Sequence, residues 1–140
     1  MRSFMARGAI ALSLALAAFP ALGDDLTGVN RFLCASVQAT RCTAEDCLVS
    51  APWEWNIPEF IQVDLDSKML STTKASGTFR KTPIKHIERE NGLIVLQGVE
   101  AGRAFSFVIT QETGFASVAV AKEGITVGVF GTCTPLGAAR

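Results

Sequence analysis

The sequence has little charge and no excess of either sign: charged residues make up 19% of the chain, and 13 Lys and Arg balance 13 Asp and Glu. This balance argues against nucleic-acid-binding proteins and polybasic membrane-surface proteins, because both need an excess of basic side chains to hold phosphates. The chain also lacks the low hydrophobicity of disordered proteins, since 49% of its residues are hydrophobic. Its 140 residues correspond to one globular domain.

Motifs of known catalytic chemistry are missing as well. The sequence contains no G-x-S-x-G, no H-E-x-x-H and no C-x-x-C, and no glycine cluster precedes a predicted helix that could bind phosphate. His86 is the single histidine. We therefore predict a protein that is not an enzyme and that needs no cofactor and no metal.

The first 23 residues have the pattern of a secretory signal peptide. Arg2 and Arg7 give a positive start, and the apolar run at 9–19 is too short to span a bilayer. No second apolar run approaches the roughly 18 residues of a membrane span. We predict cleavage after Gly23 and a periplasmic or secreted protein without a membrane span; an uncleaved N-terminal anchor is the alternative.

The four cysteines all follow the predicted signal peptide. Export to an oxidising compartment makes disulfide bonds the expected state, and an even count allows every cysteine to pair. The favoured pairing joins Cys42 to Cys47 locally and Cys34 to Cys133 across the domain, whereas the alternative joins Cys34 to Cys42 and Cys47 to Cys133. Zinc is less favoured, because only Cys42 and Cys47 have the spacing of a close ligand pair.

Residues 24–140 are predicted to form a single β domain with a short flexible tail at 135–140. Beyond Phe60, turn residues interrupt the chain about every ten residues, which is typical of consecutive antiparallel strands. The predicted strands are Phe60–Leu65, Met69–Thr72, Ile84–Glu90, Leu93–Gln97, Arg103–Thr110, Phe115–Ala121 and Ile125–Phe130. Because closure of such a meander removes exposed edges, we predict a small disulfide-tied antiparallel barrel of about seven or eight strands; an open β-sandwich is the alternative.

Local signals add three expectations. Asn91-Gly92 is the strongest hairpin signal, because both central residues of a type I′ turn need positive φ. Gly98 interrupts an apolar strand and is expected to mark a β-bulge. The segment Leu26–Val37 has only weak helical character, since it contains glycine and two β-branched valines.

Two groups of residues are candidate binding sites. If the segment 53–55 is extended, Trp53 and Trp55 share a face that could stack on a sugar or contact a partner; the two indoles could instead form a lid over one end of the barrel. Arg80 and Lys81 form a short basic cluster with Lys85 that could contact an acidic partner, although a solvated sheet edge explains it equally well. His86 is a further candidate for the same contact surface.

A catalytic alternative uses His86 as a general base or relies on the Asp64 and Asp66 pair. The two aspartates resemble the start of a calcium loop, but the third ligand, the glycine and the late glutamate of that loop are missing.

The stretches Ile57–Leu65, Leu93–Phe105 and Phe130–Thr134 resemble a family of short exported proteobacterial proteins of uncharacterised function. That resemblance implies no activity. In size and export the chain also resembles periplasmic lysozyme inhibitors, but their Ser-Gly-x-x-Tyr signature is only partly met at 76–79, and the sequence has no Tyr.

These observations lead to one main hypothesis. The protein is expected to be an exported binding or accessory module of the cell envelope, with an unknown protein or a small ligand as partner. Inhibition of a cell-wall hydrolase is a narrower version of this hypothesis. A small periplasmic hydrolase using His86 and a purely structural envelope protein are the alternatives.

Overall fold

The computed structural model describes residues 23–77 and 79–137. Residues 1–22 of the predicted signal peptide and residues 138–140 of the predicted tail lie outside this range. Within these residues, no helix has the length and apolar character needed to cross a bilayer.

The described residues form ten β-strands and two short 3₁₀ turns, so the all-β prediction is confirmed. The strands are β1 (Arg31–Cys42), β2 (Cys47–Ser50), β3 (Phe60–Asp64), β4 (Met69–Thr72), β5 (Lys81–Pro83), β6 (His86–Glu90), β7 (Leu93–Glu100), β8 (Arg103–Thr110), β9 (Phe115–Lys122) and β10 (Ile125–Pro135). The 3₁₀ turns span Pro52–Trp55 and Lys74–Ser76. Strands β3, β4 and β6 to β10 correspond to predicted strands, whereas β1, β2 and β5 were not predicted.

All ten strands belong to one antiparallel sheet in the order β5-β4-β3-β1-β10-β9-β8-β7-β6, and β2 pairs with the second half of β1. The sheet curls into a half-barrel that stays open between β5 and β6. The prediction of a closed barrel with seven or eight strands was therefore wrong in both closure and strand number.

The opening between β5 and β6 has a local cause. The three-residue strand β5 ends at Pro83, which has no N–H to donate. The next two residues use their N–H groups elsewhere: Ile84 donates to Lys68 O at 2.9 Å, and Lys85 donates to Gln97 O at 2.8 Å. The chain thus crosses from one edge of the sheet to the other without forming a ladder between them.

Both disulfides join residues that face each other on neighbouring strands. Cys34 on β1 is bonded to Cys133 on β10 in the interior, and Cys42 is bonded to Cys47 in the β1–β2 hairpin. The favoured pairing is confirmed, and none of the four cysteines is free. No thiolate therefore remains for a zinc site or for a nucleophile.

One end of the half-barrel is filled by a packed core. Its fully buried side chains include Leu26, Phe32, Val63, Ile94, Leu96 and Ile109. The N-terminal segment crosses this end, and the Arg89 guanidinium on β6 holds it by donating to Leu26 O at 3.0 Å and Val29 O at 2.6 Å. This contact ties the N-terminal segment to β6.

The chain after β10 is partly tied down. Pro135 belongs to β10, and the Leu136 N–H donates to Arg31 O at 3.0 Å. The first two residues of the predicted tail therefore extend the pairing of β10 with β1.

The hairpin prediction at Asn91-Gly92 is confirmed, with φ values of 52° and 76°. The bulge prediction at Gly98 was wrong, because β7 pairs with β8 without interruption from Leu93 to Glu100. The register shift lies instead in β1, between Ser36 and Gln38. An extra residue there moves the inward face from even to odd positions, so that Ala39 and Arg41 face the interior after Cys34.

Gly98 has a packing role rather than a bulge role. A Cβ atom at this position would overlap the ring of Phe105 on β8 and would lie 3.0 Å from Pro83 O. We expect Gly98→Val to lower the free energy of unfolding by about 1–3 kcal/mol, because the added side chain would displace the Phe105 ring and press against Pro83 O. Urea denaturation tests this, with the exposed, outward-facing Ala119→Val as control; equal midpoints for the two variants would contradict the account.

Candidate functional site

The open end of the half-barrel contains a cavity of about 370 Å³. This volume corresponds to about a dozen water molecules and lies within the range of small-molecule binding sites. Most of its wall is apolar. The apolar wall residues include Ile61, Leu70, Phe105, Phe107, Val118, Val120, Ile125, Val127 and Val129.

Side-chain alternation along β7 to β10 arranges this wall in rows. The outermost row, which we call the mouth row, consists of Ile125, Lys122, Arg103 and Glu100. The next row inward consists of Arg41, Val127, Val120, Phe105 and Gly98. The third consists of Ala39, Val129, Val118, Phe107 and Leu96. The wall is therefore charged at the mouth and wholly apolar two rows deeper.

The 3₁₀ turn Pro52–Trp55 flanks the cavity. Asn56 follows it in the left-handed conformation, and the N–H groups of Asn56 and Ile57 return to Trp53 O and Pro52 O. This compact fold means that the tryptophans do not share an extended face. Trp55 lines the cavity, whereas Trp53 lies outside it with 67% of its surface exposed.

Glu100 connects the two sides of the half-barrel at the mouth. Its Oε1 accepts a hydrogen bond from Thr82 Oγ1 at 2.6 Å. Its Oε2 lies 3.5 Å from a guanidinium nitrogen of Arg80 and 3.3 Å from one of Arg103. One carboxylate is therefore shared by two guanidinium groups and a hydroxyl.

Two other positive side chains that line the cavity have no acidic partner of this kind in the part of the chain that the structure describes. Arg41 and Lys122 also line the cavity, and neither forms an ion pair with any residue in the described ranges. The buried Nε of Arg80 likewise has no hydrogen-bond partner among the described residues. The cavity thus combines an apolar interior with a cationic mouth.

The residues proposed from the sequence as a binding surface do not form one cluster. Trp55 and Arg80 line the same cavity. Lys81 points away from it, with Nζ 5.7 Å from the centre of the Phe79 ring. His86 is exposed, and its Nε2 lies 3.6 Å from Glu88.

The two aspartates also lie outside the cavity. Asp64 accepts a hydrogen bond from the Ser67 N–H at 2.9 Å, and this bond, more than the nearby Arg31, holds the pKa of Asp64 below its usual range. Asp66 accepts from Asn30 Nδ2 at 2.8 Å. No group of three potential ligands among His, Cys, Asp and Glu exists in the described part of the chain.

Sequence reasoning missed most of the charged residues at the mouth. Arg103 shares the inward face of Phe105 and Phe107, and Lys122 shares that of Val118 and Val120, so alternation alone could have placed both. Arg41 could not have been placed in this way, because the bulge in β1 changes the inward face before it.

No known protein family, curated protein or solved structure matches this chain. The resemblance to exported proteobacterial proteins therefore stays a prediction.

Proposed function

We propose that this protein is an exported, non-enzymatic binding module of the cell envelope that holds a small apolar ligand in the half-barrel cavity. The observation that carries the proposal is the unfilled cavity with an apolar wall at one end of the half-barrel. A domain selected only to fold would fill this end as it fills the other, because unfilled space lowers stability. The two disulfides are compatible with export.

The position of the polar groups supports binding over hydrolysis. His86, Asp64 and Asp66, on which the hydrolase alternative depends, lie outside the cavity. Inhibition of a cell-wall hydrolase remains a narrower prediction, which assays against a panel of lysozymes would test.

Trp55 provides a direct test, because it lines the cavity and the chain has two tryptophans and no tyrosine. In the variant Trp53→Phe, Trp55 is the single tryptophan. Titration with decanol should shift its emission to the blue in a saturable way, since an alkyl chain replaces water around the indole.

Filling the cavity should abolish this response. Val120 lies in the middle of the wall, so Val120→Phe in the same background is expected to lose it, whereas Val99→Phe, which adds the same bulk at a position 58% exposed, should keep it. If neither decanol nor an anion with a similar alkyl chain produces a saturable shift, or if the shift survives Val120→Phe unchanged, the proposal is wrong.

A further inference from the structure

Unlike an ordinary solvated surface, the mouth has many more positive than negative side chains. Four cationic side chains line the cavity against one carboxylate, that of Glu100. The chain as a whole has equal numbers of basic and acidic residues, so this excess is local. Because Glu100 already contacts Arg80 and Arg103, the unbalanced charge is concentrated on the β1 and β9 side, at Arg41 and Lys122.

The register of β8 and β9 adds a second observation. The pairing that places Ala104 opposite Ala121 places Arg103 opposite Lys122, both on the inward face. Like charges directly opposite each other destabilise a sheet pair. An anion lying between the two side chains would convert this repulsion into attraction.

We propose that the ligand is an amphipathic anion: an alkyl chain with an acidic head group, carboxylate or phosphate. This inference deepens the proposed function and rests on it. The alkyl chain lies against the two inner rows, where valines and phenylalanines of β8 to β10 make up most of the wall. The head group lies at the mouth between Arg103 and Lys122, with Arg41 one row deeper.

The arginine at the centre of the mouth row suits such a head group chemically. A guanidinium has five N–H donors in a planar fork and can contact two oxygen atoms at once. In the structure one nitrogen of Arg103 contacts Glu100 at 3.3 Å, and its other donors have no side-chain acceptor among the described residues, so they are available to a second anion. Glu100 then has the role of holding Arg80 and Arg103 in place when no ligand is bound.

The test compares ligands that have alkyl chains of nearly equal length but differ in head group. With the Trp53→Phe protein, decanol is the neutral probe, decanoate and decyl phosphate are the anionic probes, and decyltrimethylammonium is the cationic one. Both anions are expected to bind about tenfold or more tightly than decanol, and the cation more weakly. Added salt should reduce the difference in affinity between the anions and decanol, because ions in the solvent screen the charges at the open mouth. The ratio of the two anion affinities shows whether the mouth favours a carboxylate or a phosphate.

Charge-removing variants locate the head group. Arg103→Gln and Lys122→Gln should each weaken decanoate binding about five- to tenfold and weaken decanol binding much less, because the alcohol carries no charge. Lys122 is exposed and unpaired within the described chain, so its replacement does not disturb Glu100. Lys81→Gln removes the same charge from a neighbouring outward position and should change neither affinity.

The outcomes separate the two proposals. If decanol binds as tightly as both anions, or if the preference for anions survives both Arg103→Gln and Lys122→Gln, this inference is overturned while the proposed function stands. If neither decanol nor the anions change Trp55 emission, both proposals fail.

Discussion

Replacing Cys34 and Cys133 together by alanine is expected to lower the free energy of unfolding by about 4–5 kcal/mol. The two cysteines are 99 residues apart in the sequence, so their bond restricts nearly the whole unfolded domain. Both side chains are also buried, and truncating them leaves unfilled space in the core. Small domains have a total stability of about 5–15 kcal/mol, so this variant should be largely unfolded at modest urea concentrations.

The second disulfide is the matched control. Cys42 and Cys47 are 5 residues apart, and their bond restricts only one hairpin. The same chain-entropy relation predicts a loss of about 2 kcal/mol for Cys42→Ala with Cys47→Ala. Urea denaturation without reductant measures both variants. Equal losses, or a larger loss for the short loop, would show that chain entropy does not govern the stability of this domain.

The second large effect is expected at Phe107, where the packed core meets the cavity. Its side chain is 4% exposed, belongs to the buried core and lines the cavity floor. We expect Phe107→Ala to lower the free energy of unfolding by about 3–5 kcal/mol, because the surrounding strands can close only part of the space left behind.

The same variant also tests the link between packing and the cavity. Removing the ring deepens the cavity, so any folded Phe107→Ala protein should lose the fit to decanol and favour a longer alcohol. Phe130→Ala is the control: that ring faces outward with 56% of its surface exposed, and its loss should cost little. Similar denaturation midpoints for the two variants would contradict the assigned core.

Several features of the fold could be predicted from the sequence because their signals are local. Turn residues separate β6 to β10, and Asn91-Gly92 determines one hairpin by its positive φ values. Strand β1 was missed because the register shift after Ser36 breaks its alternation of inward and outward residues. Strand β2 was missed because its first three residues are exposed and carry no inward pattern.

Closure of the sheet could not be predicted from such local signals. It depends on whether the first and last strands in the sheet order meet, and the link through Ile84 and Lys85 decides this by directing its N–H groups to Lys68 and Gln97. The packing role of Gly98 could not be predicted either, because the ring that occupies the space beside it belongs to Phe105 on the next strand.

The candidate site was only partly predictable for the same reason. Trp55 and Arg80 were singled out as unusual residue types, but their meeting at one cavity depends on the curl of the sheet. The inward direction of Arg103 and Lys122 could be predicted from side-chain alternation. That the two residues lie directly opposite each other follows only from the register of β8 and β9.

The most direct measurement of the central claim is a crystal structure of the oxidised protein grown with decyl phosphate. The account predicts the alkyl chain along Val120 and Phe105 in the cavity, with the phosphate in ion-pair contact with Arg103 and Lys122. A structure in which the wall side chains fill the cavity, or in which the ligand occupies only the outer face of the sheet, would contradict it.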